Sequence, residues 1–472
     1  MANEKSEAKL LQEKLCSQRK NGVLRMTEEQ IKDCDAFCEK YKDFMNCSKI
    51  EREVADFTVS AAKKAGYKEF ERNMRLEPGD KVYYNNRGKA VILAVIGREP
   101  VEKGVHIAAA HIDSPRLDMK QHPLFENEET AYFKTHYYGG IKKYQWGTIP
   151  LALHGVIIRA DGSSVKVNIG EDESDPVFCV TDLLPHLAQD QMKRSAGEIL
   201  KGEELNILIG SRPFRDDDVS EKVKLNIMAI LNEKYGITED DFVSAELEAV
   251  PAFKAKDIGF DRSMIMGYGH DDRVCAYPSF AAMLEIEKPQ HTSVCLLVDK
   301  EEIGSVGASG MQSHFFEDSV AEIINLLGEY SELKVRRALH NSRVLSSDVS
   351  AAFDPNYPSV MEKRNCAYFG KGLVLNKYTG ARGKSGSNDA NAEYIARLRR
   401  IFDDNDVSFQ TSELGKVDQG GGGTIAYILA NYGMNVIDSG VAVLNMHAPW
   451  EIISKVDLYE ALHGYVAFLK EA

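Results

Sequence analysis

The sequence predicts an α/β protein built on a mixed or parallel sheet and interrupted by a second, β-rich domain. Three observations predict it. Short continuous apolar runs recur along the chain, the signature of strands covered on both faces. Helical stretches alternate with these runs, which is the pattern of an α/β layer structure. Between about residues 121 and 250 the pattern turns to β-rich runs joined by turn signals, so this stretch reads as an insertion. The division is 1–120, 121–250 and 251–472, with the two outer parts forming one domain.

Taken in order, Thr27 with Gln30 and Ser48 with Glu51 each have the form of a capping box and open two amphipathic helices. The first carries Ile31, Cys34, Cys38 and Tyr41 on one face; the second carries Val54, Phe57 and Ala61 and stops near Gly66. "AVILAVI" from Ala90 and "HIAAAH" from His106 are expected to be buried strands, as are "SVCLLV" from Ser293 and "NVIDSGVAV" from Asn435. Helices are expected in "FFEDSVAEIINLLGEY", "NDANAEYIARLRRIF" and "TIAYILANYG", the last closed by Gly433. Ser454 with Asp457 is placed to cap a final helix. Within the insertion, Asp161-Gly162 between two β-rich runs signals a hairpin, and "EKVKLNIMAILNEKYG" is a lone helix.

Composition bounds the function. The 472 residues carry a net charge of −14, with 43% apolar and 28% charged residues, ordinary for a globular protein of more than one domain. No apolar run approaches the roughly 18 residues of a membrane span. The first thirty residues mix charges throughout and lack a signal peptide's apolar stretch, so a cytoplasmic protein is expected. Eight scattered cysteines without a Cys-x-x-Cys set read as reduced thiols. The acidic balance disfavours nucleic acid as a partner, because such binding relies on a lysine and arginine excess.

Five segments place carboxylates or histidines at strand ends among Gly, Ser and Pro. In "AAAHIDSPRLD", His111 ends an apolar run and Asp113 follows two residues on, on the same side of an extended chain. Asp113 can then hold the ring while its other nitrogen binds a metal. "GYGHDDRVCAY" sets Asp271 beside Asp272, an unfavourable doublet unless something positive neutralises it. "LLVDKEEIGSVGASG" runs a buried strand into Asp299, Glu301 and Glu302, where adjacent carboxylates can split the tasks of metal ligand and proton acceptor. "VLSSDVSAAFDPNYP" adds Asp348 and then Asp354, and in "GVAVLNMHAPWEIISKVD" His447 ends another apolar run. Two histidines and at least three carboxylates at strand mouths match a two-metal hydrolase, with mixed N/O ligands and one carboxylate bridging ions about 3.5–4 Å apart.

The ordered set "AAHIDSPRLDMK", "GHDDRVCAY", "DKEEIGSVGASG", "SSDVSAAFDPNYP" and "LNMHAPWEIISKVDLYEA" resembles the aspartyl aminopeptidase and aminopeptidase I family of dizinc metallopeptidases over essentially the whole chain. The resemblance implies a phosphorylase/hydrolase-like α/β/α sandwich whose inserted β-rich domain serves dimerisation. It implies two Zn²⁺ per subunit, for which Co²⁺ or Mn²⁺ can substitute. His111 and Asp348 would complete one zinc and Glu302 and His447 the other, with Asp271 bridging in preference to Asp272. Asp113 would orient His111, and Glu301 would be the general base. The implied reaction is hydrolysis of the N-terminal residue from peptides with a free N-terminus. The implied assembly is a homododecamer built from dimers, in which a histidine of the insert reaches the neighbour's active site. His186 matches that position best, and His154 is the weaker match.

The first residue of the substrate is left open between acidic and neutral or hydrophobic. A basic loop offers Lys371, Lys377, Arg382 and Lys384 to a substrate carboxylate. Two rivals share parts of the pattern. A dizinc carboxypeptidase or amidohydrolase needs a basic clamp for a carboxylate, and a non-catalytic scaffold would have lost a ligand or the base.

Overall fold

The computed structural model describes residues 5–17, 20–328 and 330–472. Among these residues, a nine-stranded sheet runs in the order Lys68–Glu69, Lys81–Asn86, Ala90–Val95, Ser293–Val298, His106–His111, Arg343–Ser347, Asn435–Gly440, Leu373–Asn376 and Phe409–Ser412. Four neighbours at its centre, Ser293–Val298, His106–His111, Arg343–Ser347 and Asn435–Gly440, are parallel. Their residues are buried on both faces almost throughout because helices cover both. Val91, Leu93, Ala108, Cys295 and Leu297 pack with the helices Glu28–Cys47, Glu51–Lys64, His270–Leu284, Ala392–Asp404 and Lys455–Glu471. Ile92, Ile107, Val294 and Leu296 pack on the other side with Phe315–Leu326, Glu332–Asn341 and Ala426–Ala430. This is the mixed α/β fold that the alternation of strands and helices predicts; three of the four expected strand runs, and the first part of the fourth, lie in this sheet.

A second, seven-stranded sheet is antiparallel throughout and is built from strands lying between Arg116 and Pro251. It closes its own core around Leu117, Phe133, Trp146 and Leu247. Its first strand, Arg116–Asn127, crosses residue 120, so the chain enters this sheet directly from the His111 segment. The Asp161-Gly162 turn joins Leu151–Ile158 to Ser164–Ile169 through residues 159–163. There Gly162 has φ +83° and Asp161 Oδ1 accepts the Ser163 N–H at 2.8 Å. The lone helix is Lys222–Tyr235.

A third sheet, of five short strands, has no counterpart in the sequence reading. "NVIDSGVAV", expected as one strand, supplies two. Asn435–Gly440 belongs to the large sheet and Ala442–Leu444 to the small one. The break falls at Gly440, where any Cβ would lie 1.9 Å from the Asp348 carbonyl oxygen.

The Thr27–Gln30 capping box forms, with both of its bonds at 3.2 and 2.8 Å. The other two expected caps do not. The helix Glu51–Lys64 starts from Ile50 without a side-chain cap, and Ser48 instead ends the preceding helix with its carbonyl bonded to the Arg273 guanidinium. Asp457 turns away from its own helix start and accepts the Gly370 and Gly372 N–H groups at 2.8 and 2.6 Å. The helix in "FFEDSVAEIINLLGEY" covers Phe315–Leu326, and residue 329 of that stretch lies outside the described residues. Among the described residues, no helix is long and apolar enough to cross a membrane.

Candidate metal centre

Three parallel neighbours in the large sheet end at one place. His111 is the last residue of its strand, Asp348 follows Ser347 directly, and Glu301 and Glu302 sit in a turn just after Val298. The carboxyl ends of parallel strands are where α/β sheets bind ligands. The small sheet brings the remaining groups. Asp271 lies in the first turn of the helix after Met264–Gly267, and His447 lies between Ala442–Leu444 and Glu451–Ser454.

The two histidines present the same nitrogen to the same carboxylate. His111 Nδ1 lies 3.0 Å from the Asp113 carbonyl oxygen and 3.3 Å from Asp113 Oδ1, while its Nε2 faces Asp271 Oδ1 at 3.1 Å. His447 Nδ1 lies 2.8 Å from the Gly140 carbonyl, and its Nε2 faces Asp271 Oδ2 at 3.2 Å and Glu302 Oε1 at 3.6 Å. A carbonyl only accepts, so each Nδ1 donates, and each Nε2 is the nitrogen left to bind a metal once a cation displaces its proton. Asp271 thus offers one oxygen to each ring. His111, Asp271 and Asp348 form one donor group and Asp271, Glu302 and His447 another, each with its donor atoms within 4.8 Å of one another.

The surrounding contacts hold this arrangement. The Asp113 carboxylate is fully buried, accepting the backbone N–H of Glu301 at 3.1 Å and of Glu302 at 3.2 Å, and the Tyr138 hydroxyl at 2.8 Å. Glu451, also buried, accepts the N–H of Asp271 at 3.0 Å and of His447 at 2.7 Å, tying the two segments together. Ser114 Oγ donates to the Asp271 carbonyl at 2.7 Å. Asp272 points elsewhere, accepting the His111 N–H at 3.3 Å, and belongs to neither donor group. Glu301 also belongs to neither, with its nearest oxygen 3.9 Å from His111 Nε2.

Without a cation, so much buried acid is unfavourable, and the protons move to relieve it. Burial lifts the Glu301 carboxyl to about 7, with the His111 ring opposing and Asp113 adding to the rise. Burial also holds Glu302 and Asp348 well above the ordinary carboxylate range. Burial works against a charge on His447, but contact with Asp271 outweighs it and lifts the ring to about 10. Glu302 Oε1 is buried with no hydrogen-bond partner. Two imidazole lone pairs, a shared carboxylate and an orphaned carboxylate oxygen are the donors that divalent zinc satisfies.

The centre opens into a cavity of about 520 Å³ lined by Val349, Asn376, Thr379, Leu414, Thr424 and Met446 among others, with no lysine or arginine. Of the basic loop, Arg382 and Lys384 line an adjoining pocket of about 200 Å³ that shares Thr379 and Leu414 with this cavity. Lys384 and Lys377 pair with Asp389 at 3.0 and 3.5 Å. Asp354 stays in a turn with Asn356. His186 is exposed in a turn of the second sheet's connections. His154 is buried between Glu53 and Glu171, at 2.8 and 3.1 Å, and both ring nitrogens are engaged there. Tyr138, Gly140 and Glu451 went unremarked in the sequence, because their contributions run through a hydroxyl, a carbonyl and backbone N–H groups that no residue spacing announces.

The protein-family model described as Aminopeptidase I zinc metalloprotease (M18) matches residues 44–469. A probable M18 family aminopeptidase 1 of Clostridium acetobutylicum is 61% identical over 459 residues, covering 96% of this chain and 99% of that protein. The crystal structure of an M18 family aminopeptidase from Thermotoga maritima matches with a TM-score of 0.93 at 42% identity, covering 97% of this chain and 100% of that one. The mApe1 dodecamer of S. cerevisiae shares the fold at 19% identity, with a TM-score of 0.74 over 92% of this chain and 96% of that one.

Proposed function

Because this chain belongs to the M18 family of aminopeptidase I zinc metalloproteases and is a metalloaminopeptidase, we propose that it removes the N-terminal residue of peptides at a two-zinc centre. One observation carries this reading: the two oxygens of Asp271 face the Nε2 atoms of two histidines, at 3.1 and 3.2 Å. On this reading His111 and Asp348 hold one ion, Glu302 and His447 hold the other, and Asp271 bridges. Cobalt or manganese can take the same donors. Zinc bound there supplies Lewis acidity and lowers the pKa of a water toward about 7.

The protein's own groups do the rest. Glu301, free of both donor groups and close to them, accepts the proton of the attacking water and returns it to the leaving amine. Asp113 acts as a positioning residue, because its carboxylate holds the backbone of Glu301 and Glu302 while its carbonyl orients the His111 ring.

The cavity beside the centre supports an uncharged first residue. Recognition of Asp or Glu needs a cation at the end of the side chain. The lining offers Val349, Leu414 and Met446 for apolar contact and no lysine or arginine. The direct test is turnover of leucyl, aspartyl and N-acetyl-leucyl anilides by the zinc-loaded chain. Leucyl cleavage is expected to exceed aspartyl cleavage at least tenfold, with the acylated compound inert. Equal turnover of the acylated compound would contradict an aminopeptidase, and preference for aspartyl would contradict the pocket assignment.

The same proposal takes residues 121–250 as a dimerisation domain inserted between the two parts of a phosphorylase/hydrolase-like catalytic domain, 1–120 and 251–472. It takes the assembly as a homododecamer of dimers. Leu183, Leu184, Leu187 and Met192, close to His186 in the sequence, are all exposed, apolar residues suited to a second copy of the chain. The relative from S. cerevisiae, of the same fold, is a dodecamer. On this reading His186 enters the partner's active site and donates a hydrogen bond to the developing oxyanion.

A further inference from the structure

The antiparallel sheet reaches the metal centre through three consecutive residues at the end of the strand Thr130–Tyr138. Tyr138 donates its hydroxyl to Asp113 Oδ2 at 2.8 Å, and Asp113 in turn holds the His111 ring and the backbone of Glu301 and Glu302. Two residues on, the Gly140 carbonyl accepts from His447 Nδ1 at 2.8 Å. One short segment therefore touches the support of both histidines. Gly139, at φ +74°, lets the chain pass between them. A Cβ there would lie 3.1 Å from Glu302 Oε2, and one on Gly140 would lie 3.3 Å from His447 Nδ1.

The Tyr138 ring is itself fixed. The Arg116 guanidinium lies 3.8 Å from the ring centre, a cation–π contact that draws electron density toward the ring face and sharpens the phenol as a donor. Arg116 is buried and held by Asp118 at 2.8 Å, Glu248 at 3.0 Å and Glu51 at 3.5 Å. Glu248 sits on Ala245–Pro251, the strand paired with Arg116–Asn127. The chain of contacts thus runs from the middle of the antiparallel sheet to Asp113.

We propose that Tyr138 is a positioning residue for the metal centre and that the segment Tyr138–Gly140 sets the two ion sites relative to each other. Tyr138 acts through Asp113, whose Oδ2 also accepts the Glu302 N–H and whose carbonyl and Oδ1 face His111 Nδ1, so it bears on both ion sites. Gly139 and Gly140 act on the site that uses Glu302 and His447. The antiparallel sheet then contributes directly to metal spacing, a role distinct from any in assembly. The inference rests on the two-zinc reading above.

The test uses the full chain, stripped of metal and titrated with zinc by calorimetry, alongside steady-state kinetics and thermal melting of the stripped form. Tyr138→Phe should weaken both zinc affinities on the order of 10- to 100-fold, the range for loss of a ligand's supporting hydrogen bond. kcat should fall by a similar factor with KM unchanged, and the melting temperature of the stripped chain should match wild type. Gly139→Ala should weaken one ion only, the one read as held by Glu302 and His447. Wild-type affinities and kcat in Tyr138→Phe would overturn the proposal, as would a loss of zinc affinity accompanied by a lowered melting temperature of the stripped chain. A wild-type chain that binds fewer than two zinc ions would count against the two-zinc reading and, with it, against this role for the segment.

Discussion

Glu301 and Glu302 are adjacent, of the same type and anchored through their backbones to the same carboxylate, yet under the proposed function they divide into different roles. Glu302 reaches across to His447 and keeps a buried, unpartnered oxygen, as a ligand does. Glu301 stays outside both donor groups, as a proton acceptor must. Glu301→Gln keeps the side chain's shape and removes its basicity, so kcat should fall by about 10²–10⁴, the worth of a general base. Zinc content, measured by atomic emission, should remain at the wild-type level; its loss would exchange the roles of the two residues. Sequence alone pointed to these positions because buried strands ended in acids or histidines at several places, an expensive pattern that a cation relieves. The residue pattern by itself does not separate Asp271 from Asp272; the family resemblance is what prefers Asp271. That separation depends on how the helix start turns one carboxylate toward the histidines and the other toward the His111 backbone.

At the scale of elements, legibility tracked how local the cause was. The Thr27 box formed because its two partners are three residues apart and face solvent. Ser48 and Asp457 carry the same pattern, but each is buried and is claimed by a distant partner, Ser48 through its carbonyl by Arg273 and Asp457 by the backbone at Gly370 and Gly372. The helix His270–Leu284 left no periodic trace because it is buried on nearly every side, so no polar face alternates with an apolar one. Short strands of two to four residues built the third sheet, too brief for any alternation to register. That sheet nevertheless places Asp271 and His447, so half of the centre rests on the least legible part of the fold.

At the scale of the whole molecule, the centre joins residues from all three sheets and from positions 111 to 447, and its second histidine leans on the Gly140 carbonyl. Assembly extends this sharing between chains under the proposed function. His186 has no polar partner among the described residues of its own chain and sits among exposed leucines, whereas His154 is buried in its own chain and unavailable to a neighbour. Mixing inactive Glu301→Gln chains with inactive His186→Ala chains under conditions of subunit exchange should therefore restore part of the activity. Some interfaces would unite an intact Glu301 with the partner's intact histidine. No recovery, with exchange demonstrated by mass-tagged chains, would contradict a site shared between subunits.

The proposed two-zinc centre depends most on Asp271 standing between two ions, and one measurement addresses that directly. The stripped wild-type chain, titrated with zinc under calorimetry, should take up two ions. In Asp271→Asn, which keeps the shape but removes the negative charge and one of the two ligating oxygens, both affinities should fall together because both ions share that carboxylate. A single zinc in the wild type, or an Asp271→Asn chain that loses one ion and holds the other at wild-type affinity, would contradict the bridge and the two-ion centre built on it.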